Sequence, residues 1–157
     1  MYDVLTGLSQ TTIRQVCFFN DGHAGCAHAV TRSLEAVLRA GRPVHLVLST
    51  MIESDDAIMQ LVLAQNHVTV RFFGPYAPAY ARFEQYPSLA QVLRATLRAT
   101  LPGDRVLFSP GVGCPEEFKT SFERVEAFSR LVAYFTSVIS EQVQARGESV
   151  RERSTQA

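Results

Sequence analysis

The sequence predicts an α/β domain, three layers deep, with helices on both faces of a mostly parallel sheet. Two observations carry that prediction. Short runs rich in β-branched and aromatic residues alternate with stretches of helical periodicity. One of these runs, PVHLVLS at 43–49, is almost wholly apolar, as a strand covered on both faces must be.

Residues 13–20 (IRQVCFFN) make the first predicted strand, which stops at the turn formers Asn20, Asp21 and Gly22. A helix over 27–40 follows, with Val30, Leu34, Val37 and Leu38 on one face and Gly41 closing it. The apolar run at 43–49 is the second strand. Asp55 and Asp56 then open a helix carrying Ile58, Met59, Leu61, Val62 and Leu63, their charges suited to its N-terminal dipole. Residues 68–73 (VTVRFF) form a third strand, ended by Gly74 and Pro75. Ser88 caps a helix bearing Leu89, Val92, Leu93, Thr96 and Leu97, which Pro102 and Gly103 terminate. A fourth strand spans 105–108, and a long helix from about Glu117 to Gln144 follows the loop at 109–115. Strand and helix alternation of this kind implies right-handed crossovers and a Rossmann-like sheet. The folded domain is expected over 13–144, with 1–12 as an N-terminal extension and 145–157 as a flexible, solvated tail.

Composition narrows the class. The chain has 157 residues, 46% of them hydrophobic and 19% charged, enough for one core and unlike a disordered chain. Fifteen basic and fifteen acidic residues cancel, so net charge does not point to nucleic acid or to an anionic membrane. No apolar run reaches membrane-spanning length. Three cysteines, Cys17, Cys26 and Cys114, in no paired spacing argue against a disulfide framework and for a reducing, intracellular compartment, cytoplasm or organelle matrix. The start has neither signal-peptide nor transit-peptide character.

Ligands of such sheets gather beyond the carboxyl ends of the strands. Two loops there lead directly into helices: NDGHAGC at 20–26 and SPGVGCPEEFK at 109–119. Neither is a GxGxxG or Walker sequence, so no nucleotide cofactor is expected. The glycines of the first loop are read as serving a tight turn ahead of anion binding.

The second loop resembles the SPACASxDxFKxFEERG signature of the Mur ligase C-terminal domain, above all that of the member adding D-glutamate. Ser109, Pro110, Phe118, Lys119, Glu123 and Arg124 keep their relative places. The first loop is similar to the family's NDSKATN, with Asn20, Asp21 and Ala24 matching, and PGDRVL at 102–107 resembles the lead into the second motif. The resemblance covers roughly 13–135 in the right order.

That resemblance implies a substrate-binding set of Asn20, Asp21, His23, Ser109, Cys114 and Lys119, in degenerate form. His23 stands where the family has its lysine and Cys114 where it has its serine, residues that help hold the incoming amino acid's carboxylates. Lysine carries a permanent charge; histidine, with a reference pKa of about 6.5, is largely neutral at pH 7. Ser121 falls on the aromatic of FKxF, with Phe122 next to it. The family's LGGxDK becomes Leu48-Ser49-Thr50-Met51-Ile52-Glu53, without its glycines.

The family's UDP-sugar and ATP domains are not expected within these residues, and phosphoryl transfer needs cations placed around the phosphates. The expectation is therefore a non-catalytic domain, repurposed as a binding or structural subunit among other proteins. The alternative is the amino-acid-binding piece of a split ATP-dependent ligase, retaining a small amino-acid ligand. Cys/His catalysis or zinc binding through His23, Cys26 and Cys114 ranks below both, since CxxC spacing is missing. No catalytic residue, metal or cofactor is assigned. Cys17, His45 and His67 are read as structural, His28 as helix surface, and Arg124, Arg130, Arg146, Arg151 and Arg153 as solvated surface and tail.

Overall fold

The computed structural model describes residues 2–3, 6–53, 56–113 and 117–155, with side chains over 6–53, 57–113 and 117–138. Its strands are β1 (Tyr2–Asp3), β2 (Leu8–Ile13), β3 (Val16–Asn20), β4 (Val44–Ser49), β5 (Val68–Phe73), β6 (Glu84–Tyr86) and β7 (Arg105–Phe108). Its helices are α1 (Ala27–Leu38), α2 (Asp56–Leu63), α3 (Leu89–Ala99) and α4 (Ser121–Thr155). Among the described residues the strands form one sheet in the order β1-β2-β3-β7-β4-β5-β6. β3 through β6 are parallel in that order, and β1 and β2 add an antiparallel edge.

Alternation along the strands divides the core in two. Phe19, Leu46, Leu48, Phe72 and Leu107 face one way and pack with Val30, Leu34 and Val37 of α1 and Ile58 and Val62 of α2. Phe18, Val47, Phe73, Val106 and Phe108 face the other way, toward Val92 and Leu93 of α3 and Phe128 and Val132 of α4. The three-layer α/β reading holds. Every residue of β4 is buried, as its unbroken apolar run requires.

His45 on β4 is structural, and its partners are polar. Its Nε2 lies 2.9 Å from Asp104 Oδ2, and Arg71 Nη1 approaches its Nδ1 at 3.1 Å. Arg71 can only donate, so Nδ1 accepts and the ring proton sits on Nε2, facing Asp104. Arg71 Nε reaches Glu84 Oε2 at 2.8 Å, so the chain of polar contacts runs from β7 to the far edge of the sheet.

Three expectations need correction. Residues 8–12 are no extension outside the domain, because Leu8–Ile13 pairs antiparallel with β3. The single strand expected over 13–20 is instead the end of β2, a two-residue turn at Arg14 and Gln15, and β3. Both turn residues have positive φ, 54° and 65°, although neither is glycine or asparagine, the residues that announce such a turn. The backbone of α4 starts at Ser121, later than expected, and stays helical to Thr155, past the end expected near Gln144. β6 escapes notice in the sequence because it is three residues long and begins with a charge.

Ser88 caps α3 as expected, its Oγ accepting from Gln91 N–H at 3.3 Å. No helix among the described residues is long and apolar enough to cross a membrane.

Candidate functional site

β3 and β7 are neighbours in parallel register, with Asn20 beside Phe108, so the loops that leave their carboxyl ends meet. Backbone bonds join them directly: Asp21 N–H donates to Phe108 O at 2.8 Å, and Gly111 N–H to Ala24 O at 3.1 Å. Gly111 has φ +79°, and a Cβ there would strike Ile52 and Val30.

The structure brings Asn20, Asp21, His23 and Ser109 together, and it pairs them with groups of the fold. Asp21 Oδ2 accepts from Ser109 Oγ at 2.7 Å and from Ser33 Oγ of α1 at 2.6 Å. Burial pushes the Asp21 carboxyl above its ordinary 3.8; the hydroxyl donors of Ser33 and Ser109, and the charges of His23 and Arg124, pull the other way without cancelling it. Asn20 turns toward α4: its Nδ2 donates to Val125 O at 2.8 Å and to Ser129 Oγ at 3.1 Å, while its Oδ1 accepts from Gly22 N–H at 3.1 Å.

His23 is exposed, yet its Nδ1 lies 2.8 Å from Ser121 Oγ, and the Phe122 ring meets it edge-on at 4.9 Å. Ser121 is the first residue of α4, so the start of that helix holds the first loop through His23. Lys119 is exposed, and its backbone N–H donates to Glu123 Oε2 at 3.1 Å. Cys114 lies outside the described residues.

Arg124 overturns the expectation of a solvated arginine. Only 1% of it is exposed, and it reaches both loops: Nε donates to Gly22 O at 2.8 Å, and Nη2 to Val112 O at 3.0 Å. Its ligands are backbone carbonyls, so a guanidinium with its fan of donors suits the place. Periodicity could have exposed it, since Arg124 is four residues before Phe128 and eight before Val132, on the buried stripe of α4.

Gly22 shows what its loop glycine is for. A Cβ there would lie 2.7 Å from Val125 Cγ2 and 3.1 Å from Phe108, so the glycine lets α4 close on the loop. Cys26, at the N-cap of α1, makes no side-chain cap. Among the described residues, no group of three His, Cys, Asp or Glu side chains is placed to hold a metal ion.

No protein-family model matches the chain. The UDP-N-acetylmuramoylalanine–D-glutamate ligase of Thermosipho africanus is 31% identical over 129 residues, and that of Thermosipho melanesiensis 26% identical over 129 residues. Each match takes in 78% of this chain and 30% of the relative, so the chain spans under a third of these ligases. Among solved structures, the MurF ligase of Thermotoga maritima, in complex with ADP, superposes with a TM-score of 0.54 at 18% identity, over 90% of this chain and 33% of that one. A domain ascribed to a UDP-N-acetylmuramate:L-alanyl-γ-D-glutamyl-meso-diaminopimelate ligase of Haemophilus ducreyi gives 0.55 at 14% identity, over 83% of this chain and 98% of that one. The two solved structures share the fold, and the sequence match takes in most of this chain; the chain is a Mur ligase C-terminal-like domain.

Proposed function

We propose that this domain is non-catalytic and serves as a binding or structural subunit of a larger protein assembly. One observation carries the reading: the polar groups of the two loops are turned onto one another and onto the fold. His23 engages Ser121 beside Phe122, Asp21 engages Ser33 and Ser109, and Asn20 engages Val125 and Ser129. A ligand carboxylate would have to break these bonds and would meet no lysine at position 23. Gly22 adds to this, because the serine that the family motif has in its place would collide with Val125.

A second reading rests on Asn20, Asp21 and Ser109, which keep the family's residue types at the two loops. In it the domain still binds an amino acid and acts with separate ATP-binding and UDP-sugar-binding domains, as in a split ligase.

Purification of the tagged chain under mild conditions, with identification of stoichiometric companions, separates the two. ATP-binding ligase domains as companions support the split ligase; unrelated subunits support the non-catalytic reading. Thermal-shift titration with D-glutamate, UDP-N-acetylmuramoyl-alanine and ATP is the companion measurement. Saturable stabilisation by D-glutamate overturns the preferred reading, whereas its absence even in the His23→Lys, Cys114→Ser double variant supports it.

A further inference from the structure

A cleft of about 670 Å³ opens where the carboxyl ends of β4, β5 and β6 come together, bordered by Glu117 of the second loop. That volume is within the usual range for small-molecule sites. Met51, Phe73, Tyr76 and Tyr86 line it, with Pro75 and Pro87. Tyr76 is 70% exposed and Met51 52%, so two large apolar side chains stand in water beside one opening.

The polar side of the lining is selective. Gln85 is already engaged: its Oε1 accepts from Ala77 N–H at 2.9 Å, and its Nε2 donates to Ala77 O at 3.0 Å. The one charged residue among the described residues of the lining is Glu117. Its Oε2 accepts from Leu89 N–H at 2.9 Å at the start of α3, which fixes the carboxylate in place. The wall itself is set by backbone, since Gly74 N–H donates to Tyr86 O at 2.9 Å. Gly74 has φ +123°, and a Cβ there would come within 2.6 Å of Thr50 Oγ1.

This lining discriminates by charge. A phosphate or carboxylate would find no basic side chain among the described residues of the lining, and an uncharged apolar ligand would bring Glu117 no counter-charge. A cation on an apolar body meets both demands, because aromatic faces attract cations and the carboxylate supplies the counter-charge. We propose that this cleft is a binding site for an organic cation, an ammonium group carried on an aromatic or alkyl body, with Glu117 as counter-ion and Tyr76 and Tyr86 as ring walls. The proposal takes Glu117 from the second loop but none of Asn20, Asp21, His23 or Ser109.

The test is a titration of the ¹⁵N-labelled chain, followed by backbone amide shifts, with benzyltrimethylammonium as probe and 3-phenylpropionate as the anionic control of similar size. Saturable shifts at Met51, Tyr76 and Tyr86, with a dissociation constant on the order of millimolar for so small a ligand, and none with 3-phenylpropionate, are expected. Glu117→Gln keeps an oxygen for Leu89 N–H but loses the charge, and Tyr76→Ala alters an exposed position; each should weaken binding about threefold or more. An equal response to both probes, shifts that do not saturate, or undiminished affinity in Glu117→Gln overturns the proposal.

Discussion

The guanidinium of Arg124 donates from Nε to the carbonyl oxygen of Gly22 at 2.8 Å, across 102 positions of the chain. With its bond to Val112 O, it ties the start of α4 to both strand-end loops from a site closed to water. Buried carbonyls left without a donor are costly. Arg124→Ala should therefore lose about 3 kcal/mol or more of unfolding free energy. Arg124→Lys should lose about 2 kcal/mol, since an ammonium lacks the planar fan needed to reach both loops. Urea unfolding measures both. Amide exchange should rise first at Gly22 and Val112.

Asp21 gives the site a pH dependence whose sign follows from its burial. Its folded carboxyl titrates above the ordinary 3.8, so over that interval the native state holds a proton that the unfolded state has lost. Stability from this group is full below 3.8 and is lost as pH rises through the folded value. Asp21→Asn keeps an oxygen that can accept from Ser33 and Ser109 but cannot titrate. The stability of the variant relative to the parent should rise with pH across this acid window and then level off, as read from urea midpoints at a series of pH values. A constant difference would show that Asp21 does not carry the effect.

Gly22 packs against Val125 of α4, and an added Cβ itself makes the clash. Gly22→Ala and Gly22→Ser should destabilise alike, by about 1–3 kcal/mol, the usual cost of overpacking. If serine were tolerated in thermal unfolding while alanine was not, hydrogen bonding and not space would govern the position.

The β2–β3 turn carries avoidable strain. Arg14 and Gln15 both hold positive φ, which costs ordinary L-residues about 1–2 kcal/mol each. Replacing them by Asn-Gly, the pair suited to a two-residue hairpin of this kind, should raise stability by about 1 kcal/mol once the extra freedom of glycine in the unfolded chain is counted. The change should appear as a higher urea midpoint with an unaltered slope.

Much of the fold was legible because the signals are local. The helical spacing of Val30, Leu34 and Val37 marks α1, the apolar run of β4 marks a strand covered on both faces, and Ser88 marks the start of α3. Local signals failed where they were weak. LSQTTI is a polar run with no fully buried residue and turns through residues without glycine, so β2 was hidden. Of the candidate site, the sequence indicated the two loops and their order, but not where their side chains turn.

The sequence by itself determined the layers of the domain, the succession of its main strands along the chain, and the family resemblance of the loops at 20–26 and 109–119, because periodicity and motif spacing lie within neighbouring residues. Tertiary structure alone decided that His23 is held by Ser121 and that Arg124 is buried beneath both loops, contacts separated by 98 and 102 positions. Such partners are chosen by the packing of α4 against β3 and β7. An arginine's burial depends on carbonyls that only the folded chain brings to it.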